Sequence, residues 1–313
     1  MSDYNGRWRG KSVVFHCLAP DHPDLHPSIH FTPEPANSEM GLFICRACAL
    51  RGNEIHLAKL IGITTTDFAT PAPRPYRRTP APPPEYPPAE EVKALWELCR
   101  PVCDDPAVSR WLQEERKIDP SMVETLDLAR VLPVDIELPP WAVTRGGSWV
   151  AMGARLIVPM ADVEGRTRSL RGRRLEVGAL KELSPTGHAV SGLILADSLA
   201  RLMLSGETLT DESDAADYVR DVGLIIVEGS IDFLATATKF SDANQNAPAV
   251  IGIVSGSWTR EIAARVPTDT SIIIGTDPDM TGRRYRDLIS GSLRDRCSDI
   301  RQIRKLVSEG AGL

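Results

Sequence analysis

The sequence predicts an α/β fold organised around a parallel sheet. Three continuous apolar runs, rich in β-branched residues, lie in the C-terminal part of the chain at residues 224–227, 250–254 and 272–274. Runs of this kind are typical of strands buried on both faces of a parallel sheet. At least about ten residues separate each run from the next, which leaves room for helical crossovers between parallel strands.

Acidic residues follow the first and third runs. Glu228 comes directly after the first run, and Asp277 and Asp279 flank a proline after the third. Ligands bind beyond the carboxyl ends of the strands in open parallel sheets, and acids two residues apart point to one side of an extended chain. Because hard oxygen ligands favour Mg²⁺ or Mn²⁺, the pattern predicts a divalent-cation site. Acids in ordinary turns are the alternative.

Composition indicates a globular protein with room for more than one domain. The 313 residues suffice for two or three domains, and a chain that is 42% hydrophobic and 25% charged is typical of soluble globular proteins. No apolar run approaches about 18 residues, and the N-terminus lacks the apolar core of a signal peptide. We therefore expect a cytoplasmic protein without a membrane partner. The net charge of −6 argues against indiscriminate coating of DNA.

Cysteine and histidine residues cluster near the N-terminus. Cys45 and Cys48 form a Cys-x-x-Cys pair that can present two thiolates to one tetrahedral ion, and Cys17 ends a strand-like segment. A fourth ligand is needed, and four histidines compete for that position: His16, His22, His26 and His30. The spacing predicts a Cys-His-Cys-Cys zinc site. The alternative is a reduced cysteine pair in a turn, with histidines on the surface.

A proline-rich segment separates this module from the rest of the chain. Residues 70–89 contain nine prolines, so we expect a semi-rigid extended spacer. From Glu90, apolar residues at helical spacing predict a helix, and two shorter helices follow. Residues 154–175 then read as two strands joined by a turn at Glu164 and Gly165. Seven arginines and two acids lie between positions 145 and 174, and charge alone leaves open whether that face is merely solvated.

The acidic motifs resemble the TOPRIM domain, which DnaG-type primases, topoisomerases and some nucleases share. The segment VEGSID resembles its acidic motif, with the family glutamate at Glu228. The segment GTDPDMTG resembles its Asp-x-Asp motif at Asp277 and Asp279. Asp232 matches the acid that follows the Glu-Gly in the primase version. The resemblance implies that these four acids are catalytic and that Glu228, Asp277 and Asp279 bind Mg²⁺ or Mn²⁺.

The N-terminal module resembles the zinc-binding domain of DnaG-type primases. The matching features are a Pro-Ser pair at 27–28, a strand that leads into Cys45, the Cys-x-x-Cys pair and a Gly-Asn turn at 52–53. Measured back from the Pro-Ser pair, the family histidine falls on His22. His26 is the runner-up, because four residues separate Cys17 from His22 where the family has two. The resemblance implies a structural zinc ion held by Cys17, His22, Cys45 and Cys48.

The basic stretch resembles the primase segment that precedes TOPRIM. Residues 155–175 read RLIVPMADVEGRTRSLRGRRL. They resemble an Arg-aliphatic-x-Pro strand, an acidic turn and a second strand that ends in Gly-Arg-aliphatic, which places family residues at Arg155 and Arg173. LKELSPTG resembles the Lys-x-Leu-x-Ser-Pro motif, with the family lysine at Lys181. The resemblance implies that these three residues contact the phosphates of the template and the incoming nucleotide.

The resemblance also implies a fold and a division into domains. The fold is α/β, with a TOPRIM doubly wound parallel sheet preceded by a mixed α+β subdomain and a small zinc-ribbon-like β module. We predict a zinc-binding domain at 1–69, a Pro-rich linker at 70–89, an N-terminal subdomain of the catalytic core at 90–220 and a TOPRIM domain at 221–313. The sequence stops roughly where primases carry a further acidic motif in TOPRIM. We therefore expect either a minimal primase of mobile-element or phage type or a fragment.

The activity that the resemblance implies is that of a DNA primase, a nucleotidyltransferase that makes short RNA primers on a single-stranded DNA template. The implied cofactors are structural Zn²⁺ and catalytic Mg²⁺ or Mn²⁺. The implied partners are single-stranded DNA, nucleoside triphosphates and a replicative helicase supplied in trans. Two alternatives stay open, namely a TOPRIM-type nuclease or topoisomerase-like enzyme that uses the same acids and a non-catalytic DNA-binding protein.

Overall fold

The chain divides into two compact units, Met1–Ala81 and Pro82–Leu313. The computed structural model describes residues 6–19, 26–33, 41–48, 50–62, 84–176, 181–207, 215–241, 246–254 and 257–304. His22 and residues 70–83 of the predicted linker lie outside the described residues. Within those ranges, no helix combines the length and the apolar character that crossing a membrane requires.

The N-terminal unit contains a five-stranded antiparallel sheet in which the strands follow one another in chain order. Its elements are β1 (Arg7–Arg9), β2 (Ser12–Phe15), β3 (Ile29–Thr32), β4 (Leu42–Cys45), β5 (Arg51–Asn53) and α1 (Glu54–Leu60). Burial alternates along β4, where Phe43 and Cys45 are buried while Leu42 and Ile44 are exposed. The sheet therefore has one face toward a small core and one face toward solvent.

The C-terminal unit begins with short helices and an antiparallel sheet. The elements of this part are α2 (Ala89–Leu98), α3 (Pro106–Arg110), a π-helical turn (Trp111–Glu115), α4 (Pro120–Thr125), β6 (Arg130–Val131), β7 (Val143–Thr144), β8 (Gly147–Ser148), β9 (Ala154–Ala161), β10 (Thr167–Arg174) and β11 (Glu182–Leu183). Strands β6, β9, β10 and β11 form one sheet in the order β11-β10-β9-β6. The helix predicted from Glu90 and the two shorter helices after it are confirmed.

The predicted hairpin is formed by β9 and β10, which pair antiparallel along their length. Gly165 closes the turn with φ +74°, and a Cβ there would lie 2.4 Å from the carbonyl oxygen of Arg201. Asp162 fixes the same turn by accepting hydrogen bonds from the backbone N–H groups of Glu164 and Arg166, both at 3.0 Å. Glycine is required at this position for both its conformation and its size.

The rest of the unit contains a mixed sheet with a parallel centre. Its elements are β12 (Leu195–Ala196), α5 (Ser198–Ser205), α6 (Ala215–Val222), β13 (Leu224–Glu228), α7 (Ser230–Ser241), β14 (Ala249–Ile253), α8 (Arg260–Arg265), β15 (Ile272–Thr276), α9 (Met280–Leu293) and β16 (Ile300–Arg304). The strand order is β12-β14-β13-β15-β16. Strand β13 pairs parallel with both β14 and β15, while β12 is an antiparallel edge strand. The three predicted strands and their parallel pairing are confirmed.

The central strand is buried on both faces, as its continuous apolar run predicts. Ile225 and Val227 pack in the same core as Phe233 of α7. Leu224 and Ile226 point to the opposite face, where the core includes residues of α5, α6, α8 and α9. Burial of one such aliphatic side chain contributes about 1.5–3 kcal/mol. Packing on both sides holds the ends of the parallel strands in a fixed place.

Candidate functional site

The candidate site lies at the carboxyl edge of the parallel sheet, where β13 and β15 end side by side. Glu228 is the last residue of β13, and Asp277 directly follows β15. The Glu228 carboxylate accepts a hydrogen bond from the backbone N–H of Asp277 at 3.1 Å. The two strands pair directly up to Val227 and Gly275. The pairing therefore brings together two acids that are 49 positions apart in the sequence.

Two glycines shape the backbone around these acids. Gly229 has φ +85° and turns the chain from β13 into α7. Gly282 lies in the first turn of α9, where a Cβ would come within 2.1 Å of the carbonyl oxygen of Asp277. Asp279 caps α9 by accepting a hydrogen bond from the backbone N–H of Gly282 at 2.8 Å. The N-terminus of α9 thus packs directly against the backbone that carries Asp277.

The acids at this edge influence one another electrostatically. Partial burial raises the pKa of Glu228, and the negative charges of Asp277, Asp279 and Asp232 raise it further. The hydrogen bond from the Asp277 backbone opposes this shift. The donor set consists of carboxylate oxygens, which fits Mg²⁺ or Mn²⁺, and a bound cation would relieve the repulsion.

A largely buried carboxylate joins the basic hairpin to this acidic edge. Glu182 of β11 lies opposite Arg173 of β10 in the sheet register. Its Oε2 accepts a hydrogen bond from Nε of Arg171, and its Oε1 lies 3.5 Å from Nη1 of Arg173. Oε1 also accepts a hydrogen bond from the hydroxyl of Ser230, the first residue of α7. The chain from Glu228 to Ser230 thus connects the acids to two arginines.

The three residues predicted to contact phosphate lie on or next to neighbouring strands of one sheet but have different surroundings. Arg173 is buried and lies in the arginine–Glu182 cluster just described. Lys181 is exposed and directly precedes Glu182. Arg155 forms an ion pair with Asp105, which in turn caps α3. The guanidinium of Arg155 therefore already has a structural partner within the protein.

The sequence analysis did not identify two further arginines and Glu182. Arg171 lies two residues from Arg173, so both side chains leave β10 on the same face. This spacing is visible in the sequence and could have identified Arg171. Arg116 stacks on the ring of Trp111 at 4.8 Å, and Arg173 lies 5.8 Å from the same ring. The π-helical turn that holds Trp111 has no sequence signature, but such turns are frequent at functional sites.

The cysteine cluster predicted near the N-terminus is present. The sulfur atoms of Cys17, Cys45 and Cys48 all lie within 4.8 Å of one another, and those of Cys17 and Cys48 are 3.5 Å apart. Zn–S bonds of about 2.3 Å place tetrahedral sulfur ligands about 3.8 Å apart. The cluster therefore fits a zinc ion with little movement. Among the described residues, no other group of three potential metal ligands is this tight, the acids at the sheet edge included.

The environment of Cys45 favours the thiolate form that metal binding requires. Burial opposes ionisation of this thiol, but hydrogen bonds from Ser28 and from the backbone of Cys48 and Ala47 outweigh it and lower the pKa to about 6.

The predicted fourth zinc ligand, His22, lies outside the described residues. The other three histidines that compete for this position, His16, His26 and His30, are described and lie outside the sulfur cluster.

Comparison with known proteins found solved structures but no sequence match. No family model matches the chain, and no curated protein sequence matches it. The zinc-binding and RNA polymerase domains of Aquifex aeolicus primase have 19% identity and a TM-score of 0.47, over 99% of this chain and 76% of that chain. The solved structures that are similar to this chain include DnaG primases.

Two further structures illustrate the range of this similarity. The RNA polymerase domain of Mycobacterium tuberculosis primase DnaG, in complex with double-stranded DNA, has 14% identity and a TM-score of 0.44, over 71% of this chain and 74% of that chain. The E. coli primase catalytic core has 19% identity and a TM-score of 0.39, over 64% and 66% of the two chains.

We predict one zinc ion per chain, lost on Cys45→Ser substitution. Because the binding energy of a structural zinc site is largely folding energy, the variant should also lose the structure of the N-terminal sheet. Elemental analysis and circular dichroism measure the two effects. Cys103→Ser is the matched control, since Cys103 is exposed and lies outside the cluster. Zinc-free wild-type protein, purified without chelator, would contradict the prediction, and zinc retained in His22→Ala but lost in His26→Ala would move the fourth ligand to His26.

We predict that Gly282→Ala weakens Mn²⁺ binding by tenfold or more, about 1.4 kcal/mol. The added Cβ must displace the backbone of Asp277, because no flexible side chain is available to yield. Gly291→Ala is the matched control in the same helix, since a Cβ there meets no atom within 4 Å. Isothermal titration with Mn²⁺ measures both variants. Equal affinities would show that the position of Asp277 is unimportant for the cation.

We predict that Asp279→Asn stabilises the metal-free protein and reduces its pH dependence. The raised pKa of Glu228 means that the folded chain keeps a proton that the unfolded chain releases near the ordinary value of 4.5. The free energy of unfolding should therefore fall as the pH rises above that value. Removing the Asp279 charge lessens the fall, while asparagine still caps α9.

Thermal melting across pH, with and without Mn²⁺, tests this prediction. Asp287→Asn removes one charge from an exposed position on the same helix and serves as the control. An Asp279 variant that melts like the control at every pH would show that the acids at the sheet edge do not interact.

Proposed function

We propose that this protein is a DnaG-type DNA primase and that its parallel sheet is a TOPRIM domain. The activity would be metal-dependent nucleotidyl transfer that makes short RNA primers on a single-stranded DNA template. The observation that supports the proposal is the hydrogen bond from the Asp277 backbone to Glu228 at the sheet edge. Helix α7 begins next to this edge, and its first residue, Ser230, donates a hydrogen bond to Glu182 of the arginine cluster. The N-terminus of α7 thus lies between acids that are suited to cations and arginines that are suited to phosphates.

The roles of the acids follow from their positions. Two Mg²⁺ or Mn²⁺ ions, when bound by Glu228, Asp277 and Asp279, would lower the pKa of the attacking 3′-hydroxyl and stabilise charge on the phosphates. Glu228 is partly buried among other acids, and its raised pKa suits a carboxylate that accepts a proton. We assign it as a cation ligand or the general base. Asp232, in the first turn of α7, adds to the negative potential that attracts the cations.

The basic residues supply the complementary charge. We assign Arg173 and Lys181 to the phosphates of template and nucleoside triphosphate, because guanidinium groups form paired hydrogen bonds with phosphate oxygens. Arg155 would contact a phosphate only if its ion pair with Asp105 broke, or if the phosphate bound to the intact ion pair. The net charge of −6 does not oppose DNA binding, since six arginines lie on the β9–β10 hairpin and form a local basic surface.

The N-terminal unit offers a surface suited to single-stranded DNA. Trp8 is 68% exposed and lies between Arg7 and Arg9 on β1, and Leu42 and Ile44 of β4 are also exposed. Aromatic side chains flanked by cations bind single strands through base stacking and phosphate contacts. We therefore assign the zinc ion a structural role in a template-binding module. Nucleoside triphosphates and a helicase acting in trans complete the proposed partners.

A primer-synthesis assay tests the proposed function. With single-stranded DNA, labelled nucleoside triphosphates and Mn²⁺, the protein should make short labelled primers. Asp277→Asn should lower the rate by about a hundredfold or more, since it removes charge stabilisation at the reacting phosphate. Asp287→Asn should retain the rate. A cut template without primers would indicate a nuclease, and neither product would indicate a non-catalytic DNA-binding protein.

A further inference from the structure

Glu182 is a carboxylate held on three sides and largely shielded from water. Its side chain is 14% exposed, and those of Arg171 and Arg173 are 15% and 10% exposed. Burial opposes ionisation of Glu182, but the two arginines and the Ser230 hydroxyl outweigh it and lower its pKa. Glu182 is therefore a stable anion under ordinary conditions. Buried ions are kept in a protein when they are paired and hydrogen-bonded, as here.

The charges in this cluster do not cancel. Two guanidinium groups face one carboxylate, which leaves one positive charge in a largely buried setting. Arg173 carries further signs of an incomplete environment, since its Nε is buried without a hydrogen-bond partner among the described residues. Burial lowers the pKa of Arg173 and the nearby Arg116 lowers it further, while Glu182 raises it. A cluster that served only to close a core would be expected to balance its charges.

Ser230 connects this cluster to the acidic edge. Its side chain is almost fully buried, and its hydroxyl donates to Glu182 from the start of α7. Only Gly229 separates Ser230 from Glu228 along the chain. Ser230 therefore links Glu182 directly to the turn that carries Glu228.

We propose that Glu182 is a positioning residue, which holds Arg173 and ties that arginine through Ser230 to the acidic edge of the sheet. The proposal rests on the proposed function, because Arg173 is taken to contact a phosphate. Glu182 touches no substrate itself. Its role is to hold the guanidinium, which is charged in any case, at a fixed distance from the acids, so that one polyanionic substrate meets both groups.

Electrostatics and positioning predict opposite results for Glu182→Gln. The substitution removes a negative charge from a basic cluster, so electrostatics alone predicts tighter binding of DNA. Loss of positioning predicts weaker binding, and we expect the dissociation constant for a labelled single-stranded 12-mer to rise about tenfold. Glu176→Gln is the matched control on the same hairpin, because Glu176 is 83% exposed and only loosely paired with Arg174. Tighter or unchanged binding by Glu182→Gln would overturn the proposal.

A double-mutant cycle tests whether Glu182 acts through Arg173. If it does, Glu182→Gln should add little to the loss caused by Arg173→Gln, because the arginine that it positions is already gone. Full additivity would overturn the proposal. Ser230→Ala provides a second route in case Glu182→Gln does not fold, since it breaks the connection without changing any charge. It should weaken binding severalfold while the melting temperature stays near that of the wild type, and wild-type affinity would count against the proposal.

The binding assay contains neither nucleotides nor metal, so it separates this proposal from the proposed activity. A protein that makes no primers but loses DNA affinity in Glu182→Gln would retain the positioning role and lose the primase assignment. A protein that makes primers, with Glu182→Gln matching Glu176→Gln in binding, would retain the assignment and lose the positioning role.

Discussion

The direct parallel pairing of β13 with β15 is the contact on which the candidate site depends. Each strand alone would leave its acids in an ordinary turn. Paired, they bring Glu228 within hydrogen-bonding distance of the Asp277 backbone, and the cores on both faces of the sheet prevent the strands from sliding. A slip of one residue would move every side chain to the opposite core and disrupt the close packing in both, so core packing also fixes the register. The same forces that stabilise the fold therefore set the spacing of the carboxylates.

Much of this arrangement follows from local sequence patterns. Continuous runs of β-branched residues predict buried parallel strands, and acids after two of those runs predict an acidic edge. The hairpin at Gly165 and the cysteine cluster were equally predictable, because turn chemistry and ligand spacing operate over short distances. What these elements share is that a few neighbouring residues determine each of them.

The arginine contacts were not predictable in the same way. Arg155 pairs with Asp105, and Glu182 accepts a hydrogen bond from Ser230, over separations of 50 and 48 residues. The sequence shows a basic stretch, but it does not show which cations are already paired. That distinction depends on tertiary packing and on the register between β10 and β11. It changes the interpretation, since Arg155 is already paired with Asp105 and Arg173 with Glu182.

Asp279 combines two tasks that are usually assigned to different residues. One carboxylate oxygen caps α9 through the N–H of Gly282, and the side chain also faces the cluster of acids. Asparagine can perform the first task about as well as aspartate, but it carries no charge for the second. A single amide substitution would therefore leave the helix intact while removing one negative charge from the sheet edge. In a lineage that did not need the proposed chemistry, such a domain would persist as a folded module, and the change would not be visible in its backbone.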